Sequence, residues 1–198
     1  GLMETPFLTN ETIFELDKCP DHLIVIGGGP IGAELAQAHR RLGAAVTILE
    51  MFDFLGKDDP ELTAVVRRQF IAEGIDVRTG VKVVKTEADG SGVAVTIDDD
   101  GTERTISGSH LLVAAGRHPN IDALDLDAAT IDHTPQGVTV DSRLRTSNRK
   151  IFAIGDVTGG LQFTHIAGYH AGIIIRNALF HLPAKVNYRA APWVTYTD

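Results

Sequence analysis

The sequence predicts an α/β fold in which a parallel β-sheet carries helices on one side and an antiparallel β-meander on the other. Three observations indicate this fold. A strand, a glycine-rich turn, a helix and a second strand follow one another between His22 and Glu50. Three β-prone runs between residues 81 and 106 are joined by short turns of Gly, Asp and Ser, as in hairpins. The later run His110–Ala115 is almost continuously apolar, which is typical of a strand buried in a parallel sheet.

The first unit begins with a short apolar strand, Leu23–Ile26, followed by a helix whose apolar residues recur at helical spacing over Ile31–Leu42. Gly43 ends the helix, and a second apolar strand, Ala45–Leu49, runs into Glu50. A strand, a helix and a strand in this order form a Rossmann-like βαβ unit, in which the two strands lie parallel.

Three glycines with the spacing G-x-G-x-x-G lie between the first strand and the helix: Gly27, Gly29 and Gly32. In a dinucleotide-binding turn the first glycine allows a sharp bend and the second lets a pyrophosphate approach the backbone. The third lets the helix pack closely on the strand. The N–H groups and the dipole at the helix start attract the phosphates. A glycine-rich turn without a ligand is the alternative, but the strand before it and the helix after it favour dinucleotide binding.

Glu50 lies 21 residues beyond Gly29 and ends the second strand. An acidic side chain there can accept hydrogen bonds from the ribose hydroxyls of the adenosine, and it repels the 2′-phosphate of NADP. The following loop, 51–58, has a single basic residue, Lys57, where an NADP site would need arginine. These residues predict NAD rather than NADP, while a solvated strand end is the alternative for Glu50 alone.

The second helix starts at Asp59, Pro60 and Glu61, which supply an N-cap, a first-turn proline and a first-turn acid. Gly74 ends this helix, and a third strand, Ile75–Arg78, returns to the sheet. The meander then follows as three strands: Val81–Glu87, Val93–Ile97 and Thr102–Ile106.

Beyond the buried run His110–Ala115, two turns are candidates for ligand contact. Gly116 follows the carboxyl end of a central strand, where open α/β sheets bind ligands, although a plain turn is an equal alternative. The short strand Ile151–Ile154 ends in Gly155 and Asp156, and an aspartate there can accept hydrogen bonds from ligand hydroxyls.

Thr164 is expected to cap an apolar helix, Ile166–Leu179, whose N-terminal N–H groups can stabilise a partial negative charge. A short strand, Val138–Val140, is expected earlier in this half of the chain. The final β-prone run, Trp193–Thr197, is expected to be the first strand of a further domain.

Composition and charge restrict the class of protein. The chain has 198 residues, of which 43% are hydrophobic and 22% charged, as in an ordinary globular protein. Its net charge of −8 argues against nucleic acid as a partner, and no apolar run approaches the ~20 residues of a membrane span. A single cysteine, Cys19, and the lack of a signal-peptide pattern predict a cytoplasmic protein. The eight histidines have no metal-binding spacing.

Together and in this order, these segments resemble the pyridine nucleotide–disulfide oxidoreductases, a family of flavoproteins with two dinucleotide-binding domains. The similarity covers nearly the whole chain. It rests on Gly27–Glu50, on the run AAGRHPN at Ala114–Asn120 and on Thr146–Asp156, which ends in IFAIGD. The tail Pro192–Asp198 is similar to the start of the family's dimerisation domain, and Phe163–Gly168 resembles the dihydrolipoamide dehydrogenase and mercuric reductase branch.

The resemblance implies that two cofactors contact this chain. NAD would lie against Gly27, Gly29, Pro30, Ile31, Gly32, Glu50 and Gly116. The ribityl chain of FAD would contact Gly155 and Asp156, and its pyrimidine ring would face Thr164 and His165. Glu34 would pair with a lysine beside the flavin, a solvated helix glutamate being the alternative. Pro30 stands where several members have an aromatic residue that gates the nicotinamide pocket, so access to the flavin is expected to be less gated.

The resemblance also implies a domain organisation. Residues 1–20 would be a lead-in from an FAD domain, 21–118 the NAD(P)-binding domain, 119–183 a second FAD-domain segment and 184–198 the start of a dimerisation domain. The sequence has neither the family's N-terminal FAD glycine motif nor its redox cysteine pair. It is therefore expected to be the central fragment of a homodimeric flavoenzyme, without turnover of its own.

The implied activity is hydride transfer between NAD(H) and FAD, and electron transfer on to a disulfide or related acceptor, such as a lipoamide-type disulfide or mercuric ion. Two alternatives remain open: a flavin-dependent NADH oxidoreductase with a non-disulfide acceptor, and a non-catalytic dinucleotide-binding module. The segment Thr146–Asp156 argues against the second, because a module without flavin has no use for another dinucleotide half-site.

Overall fold

The computed structural model describes all 198 residues, Gly1–Asp198. They form two compact units. The first contains Gly1–Gly116 together with Thr195–Asp198, and the second contains Arg117–Val194. No helix in the structure is both long enough and apolar enough to cross a membrane.

The first unit contains two sheets and two α-helices. Its strands are β1 (His22–Ile26), β2 (Ala45–Glu50), β3 (Asp76–Thr79), β4 (Lys82–Asp89), β5 (Gly92–Asp99), β6 (Thr102–Gly108) and β7 (His110–Val113). The helix α1 (Pro30–Leu42) connects β1 to β2, and α2 (Pro60–Ala72) connects β2 to β3. A parallel sheet has the order β3-β2-β1-β7, and the antiparallel meander has the order β4-β5-β6.

Side chains of the central strand β1 alternate between two apolar cores, because successive residues of a strand point to opposite faces of the sheet. Leu23 and Val25 belong to a core that includes residues of both helices, namely Ala33, Ala36 and Phe70. Ile24 belongs to a second core that includes three residues of the meander strand β5, namely Val93, Val95 and Ile97. The predicted arrangement, with helices on one side of the sheet and the meander on the other, is confirmed.

The two helices begin and end close to where the sequence predicts. Gly43 ends α1 with a φ of 112°, and its N–H donates to the carbonyl of Arg40. Asp59 is the N-cap of α2, and its side chain accepts a hydrogen bond from the N–H of Glu61 at 2.9 Å. The chain leaves α2 at Gly74, whose φ is +81°.

Residues of the expected lead-in belong to the first unit. Leu8 forms a parallel bridge with Leu112 of β7, and Ile13 is buried in the core on the helix side of the sheet. Two short 3₁₀ helices, Leu2–Glu4 and Thr12–Glu15, lie on either side of Leu8. This segment therefore extends the parallel sheet beyond β7 by a single bridge.

The second unit has its own small apolar core, formed by Ile121, Leu126, Ile131, Val138 and Ala153. A two-stranded hairpin, β8 (His133–Thr134) and β9 (Gly137–Val138), contributes to it. A 3₁₀ helix, Gly155–Thr158, precedes the long helix α3 (Thr164–Ala178).

Three expectations for this half of the chain were wrong in detail. The run Ile151–Ile154 forms no strand: only Phe152 makes an isolated bridge, with Arg145, while Ile151 and Ala153 pack into the small core instead. The strand predicted at Val138–Val140 is the shorter β9. Thr164 does not cap α3, because it is the first residue of the helix and Phe163 stands at the N-cap without a side-chain hydrogen bond.

The C-terminal run Trp193–Thr197 is also not a strand. Its last residues belong to the first unit, where side chains of α1 accept their backbone N–H groups. Glu34 Oε1 accepts from Tyr196 N–H at 2.9 Å, and Gln37 Oε1 accepts from Asp198 N–H at 3.1 Å. These two side chains accept the hydrogen bonds that a neighbouring strand would otherwise accept, so the N–H groups of Tyr196 and Asp198 have partners without strand pairing.

Candidate functional site

The turn between β1 and α1 contains two glycines, Gly27 and Gly32, that larger residues cannot replace without strain. Gly27 has a φ of +107°, and a Cβ on it would overlap the carbonyl oxygen of Ala114. A Cβ on Gly32 would overlap the carbonyl oxygen of Gly27. Gly29 differs, because nothing lies within 4 Å of the position of its Cβ. The turn is therefore tight toward the sheet and open at Gly29, where a pyrophosphate would approach the backbone.

The start of α1 presents backbone donors. Gly29 is the N-cap, Pro30 follows it in the first turn, and no side chain caps the helix. The N–H of Ala33 donates to the carbonyl of Gly29 at 2.9 Å. The N–H groups of Ile31 and Gly32 precede that bond, so the helix itself offers them no acceptor. With the positive end of the helix dipole, they form a site suited to a phosphate.

Both carboxylate oxygens of Glu50 accept hydrogen bonds from the backbone around this turn. Oε2 accepts from the N–H of Gly28 at 2.6 Å, and Oε1 accepts from the N–H of Phe52 at 2.8 Å. The side chain thus joins the end of β2 to the glycine turn. A carboxylate has about four acceptor positions, so each oxygen can still accept from a ribose hydroxyl.

The loop after β2 is held against the same turn. The N–H of Leu55 donates to the carbonyl of Gly28 at 2.9 Å. The ring of Phe54 is buried, 5.2 Å from the ring of Phe70 between centroids, and its Cδ2 would contact a Cβ on Gly28. Glu50, the glycine turn and this loop therefore form one hydrogen-bonded and packed group.

Two further predicted residues of the first unit lie as follows. Gly116 has a φ of +137° with nothing within 4 Å of its Cβ position, so it is an open, left-handed turn beyond β7. Glu34 contacts the N–H of Tyr196 through its carboxylate. Its pairing with a lysine beside a flavin stays a prediction.

In the second unit, Asp156 follows a glycine in a left-handed conformation. Gly155 is buried with a φ of +70°, and Asp156 belongs to the same 3₁₀ helix. Asp156 Oδ2 accepts from Arg117 Nη2 at 2.6 Å, and the Asp156 side chain is 35% exposed. One carboxylate oxygen is thus held by a cation, and the other can accept from a ligand hydroxyl.

The start of α3 offers backbone donors as well. The N–H groups of Ile166 and Ala167 both donate to the carbonyl of Phe163, whereas those of Thr164 and His165 come before this bond. The His165 ring is stacked on Phe163, with centroids 5.3 Å apart, and its Nε2 donates to the carbonyl of Pro192 at 2.8 Å. This ring is fixed by protein contacts, so the backbone N–H groups are the donors available to a ligand.

Sequence reasoning assigned no role to three residues around Asp156: Arg117, His170 and Tyr188. His170 is 2% exposed and contacts both Gly155 and Tyr188. The sequence does indicate that His170 is buried, because it lies on the apolar stripe of α3 with Ile166 and Ile173, which are also buried. Arg117 lies within the motif Ala114–Asn120, but no sequence pattern indicated that it pairs with Asp156.

Comparison with known proteins decides the family. The sequence model of the family described as pyridine nucleotide-disulphide oxidoreductase matches residues 3–171. The chain belongs to this family. The resemblance inferred from the motifs is therefore confirmed.

Relatives of this pyridine nucleotide–disulfide oxidoreductase chain are longer enzymes. Mercuric reductase of Bacillus cereus is 38% identical over 200 residues, which cover 100% of the chain and 32% of that enzyme. Dihydrolipoyl dehydrogenase of Geobacillus stearothermophilus is 37% identical over 185 residues, which cover 92% of the chain and 39% of that enzyme. The chain thus spans less than half the length of these relatives.

Solved structures agree with the family and the fold. The Cu(II) complex of the HOCl-induced flavoprotein disulfide reductase RclA from Escherichia coli has a TM-score of 0.91 at 29% identity, covering 100% of the chain and 46% of that protein. LpdA from Mycobacterium tuberculosis has a TM-score of 0.89 at 32% identity, covering 96% of the chain and 41% of that protein. The predicted fold class is confirmed by this similarity.

Proposed function

We propose that the chain is the NAD-binding part, with an adjoining flavin-contacting segment, of a homodimeric flavin-dependent oxidoreductase. The whole enzyme would move a hydride between NAD(H) and FAD and pass electrons to a disulfide or related acceptor, such as a lipoamide-type disulfide or mercuric ion. A bound flavin supplies the redox chemistry, while the residues of this chain bind and orient the two cofactors. By itself the chain would bind NAD(H) without turnover.

The observation that carries this proposal is the group formed by Glu50, Gly28 and the open Gly29 at the start of α1. A carboxylate that accepts from the Gly28 N–H at 2.6 Å lies beside an uncapped helix start. Phosphates are favoured at the helix start and ribose hydroxyls at the carboxylate. The two preferences, side by side, match the order of groups along the adenosine half of a dinucleotide.

NAD is the proposed nucleotide because of the charge around Glu50. A 2′-phosphate would lie next to the carboxylate, and like charges ~4 Å apart repel by about 1–4 kcal/mol between the dielectric of water and that of a protein surface. The loop 51–58 offers Lys57 as its one cation. NADP would therefore bind less tightly than NAD.

FAD is proposed to contact the second unit. Asp156, held on one side by Arg117, would accept from a ribityl hydroxyl, and the N–H groups of Thr164 and His165 would face the flavin pyrimidine. The helix dipole there favours the negative charge of a reduced flavin. Electron transfer to the disulfide or related acceptor is not assigned to residues of this chain, since its one cysteine, Cys19, has no second thiol to pair with.

Calorimetric titration of the chain with NADH, and separately with NADPH, tests the proposal. We expect saturable NADH binding and NADPH binding weaker by roughly a factor of ten, which is about 1.4 kcal/mol. Equal affinities for NADH and NADPH would contradict the NAD preference, while the proposed dinucleotide site would stand. Absence of binding by a chain that melts cooperatively would refute the dinucleotide site itself.

A further inference from the structure

His170 of α3 connects two segments of the second unit through its two ring nitrogens. Nδ1 accepts a hydrogen bond from the N–H of Gly155 at 3.1 Å, and Nε2 lies 2.6 Å from the hydroxyl of Tyr188. The ring is 2% exposed, and its hydrogen bond with Gly155 is buried away from water. His170 therefore holds Gly155, the residue directly before Asp156 on the turn that carries this carboxylate.

The partners determine the tautomer of His170. A backbone N–H can only donate, so Nδ1 must be the unprotonated, accepting nitrogen. The neutral ring then carries its proton on Nε2, which donates to the oxygen of Tyr188. A doubly protonated ring would direct a second N–H at the N–H of Gly155, and the hydrogen bond between them would be lost.

Both peptide groups of Gly155 are held by side chains. Its N–H donates to His170, and its carbonyl accepts from the hydroxyl of Thr158 at 2.8 Å. A Cβ at Gly155 would stand 3.0 Å from the Cβ of Ala167, which lies one turn before His170 on α3. The glycine, with its φ of +70°, therefore packs directly on the helix, and the direction in which Asp156 leaves the turn depends on that packing.

We propose that His170 is a positioning residue, whose neutral ring fixes the Gly155 peptide and thereby the orientation of Asp156, and whose protonation releases this turn. That this orientation lets Asp156 accept a hydrogen bond from a ribityl hydroxyl of FAD rests on the proposed function. His170 acts through Gly155 and does not touch the cofactor.

The charges around His170 are consistent with a neutral ring. The titratable groups in contact with it are Tyr188 on the C-terminal segment and Tyr169 on its own helix. Asp156 follows its partner Gly155 on the 3₁₀ helix. Asp156 is already paired with Arg117. Burial lowers the pKa of His170 below its ordinary value, and burial raises the pKa of Tyr188, with a smaller contribution from Tyr169. The ring therefore stays neutral at neutral pH and becomes protonated only in acid.

Amide hydrogen exchange at Gly155, measured by NMR between about pH 7.5 and 5 and corrected for the intrinsic rate, tests the proposal. In the wild-type chain we expect protection that falls about fivefold, which is about 1 kcal/mol, as His170 titrates below its ordinary value of about 6.5. Ring ¹⁵N shifts of His170 would report the Nε2–H tautomer at neutral pH. Protection that does not change while the ring shifts report protonation, or the opposite tautomer, would overturn the proposal, and neither result requires a substitution.

Two variants separate positioning from packing. His170→Asn keeps an acceptor near the position of Nδ1 but cannot titrate, so we expect Gly155 to remain partly protected without the pH step. His170→Phe keeps the ring and removes the acceptor, so protection should be lost at every pH. An unchanged Gly155 in His170→Phe, or a pH step that persists in His170→Asn, would contradict the role of His170.

The affinity for FAD, followed by flavin fluorescence over the same pH range, links the turn to the proposed function. Binding that weakens with the step at Gly155 in the wild type, and not in His170→Asn, supports the positioning of Asp156. If FAD does not bind at any pH while the Gly155 step is present, the proposed flavin contact fails and the role of His170 in the turn stands.

Discussion

Gly32 packs against Gly27 so closely that a Cβ on Gly32 would overlap the carbonyl oxygen of Gly27. The overlap is with backbone at the end of the central strand β1, which cannot move aside like a flexible side chain. We expect Gly32→Ala to lower the free energy of unfolding by about 3 kcal/mol, the upper end of the range for overpacking. Urea unfolding measures this change, and a loss below about 1 kcal/mol would show that the helix can shift outward.

Gly29→Ala is the matched variant in the same turn. Gly29 has a φ of −76°, and nothing lies within 4 Å of its Cβ position, so alanine fits without strain. We expect an unchanged or slightly higher stability, by up to ~1 kcal/mol, together with NADH binding at least about tenfold weaker, because the methyl group occupies the approach of the pyrophosphate. Wild-type NADH affinity in Gly29→Ala would mean that the dinucleotide does not approach this face of the turn.

Glu50→Gln tests whether the charge of Glu50 selects the nucleotide. The amide keeps the size and one accepting oxygen but loses the charge that repels a 2′-phosphate. We expect NADPH affinity to rise toward that of NADH, while NADH binding weakens by about 1 kcal/mol, since hydrogen bonds to a charged acceptor are stronger. Titration calorimetry with both nucleotides measures this. Glu103→Gln, on the exposed strand β6, serves as the control for the loss of one carboxylate.

Phe70→Ala tests the core between the helices and the sheet. Phe70 is fully buried, and its ring lies 5.2 Å from that of Phe54 behind the glycine turn. We expect a loss of about 3–5 kcal/mol in the free energy of unfolding, from lost burial and the cavity that remains. Phe14→Ala is the control: Phe14 is 76% exposed, and its removal should change stability by about 0.5 kcal/mol or less.

The carboxylate of Glu73 should contribute to the acid sensitivity of the first unit. Hydrogen bonds from Arg41, and secondarily from Gln69, lower the pKa of Glu73 to about 2. Since the folded pKa lies below the unfolded value, the stabilisation is present in full above about pH 4.5 and is lost as the pH falls from there through about 2. Glu73→Gln should therefore be less stable at neutral pH but lose less stability between these values.

Thermal unfolding at a series of pH values checks this expectation. The Arg41 side chain is 44% exposed and also pairs with Asp198, so the contribution should fall with added salt. Parallel pH profiles for the wild type and Glu73→Gln would show that Glu73 is not stabilised by its partners.

Much of the first unit could be predicted because its signals lie in neighbouring residues. The spacing of Gly27, Gly29 and Gly32 indicates a tight glycine turn, and the structure leaves no room for a Cβ at Gly27 and Gly32, while Gly29 is open. The cap of α2 at Asp59 and the two hairpins of the meander follow equally from local sequence. The run Ile151–Ile154 was mistaken for a strand because an apolar run of four residues has the same pattern whether it pairs in a sheet or packs into a core.

By itself the sequence determined the order of strands and helices in the first unit, the two apolar faces of its sheet and the site of the glycine turn. These depend on backbone sterics and side-chain periodicity, which adjacent residues already contain. Only the tertiary structure decided that Glu50 bonds to Gly28, that Arg117 holds Asp156 and that His170 lies between Gly155 and Tyr188. The reason is physical: the donors at Gly28 and Gly155 are backbone N–H groups that every residue except proline carries, so no sequence pattern marks them until packing brings an acceptor within reach.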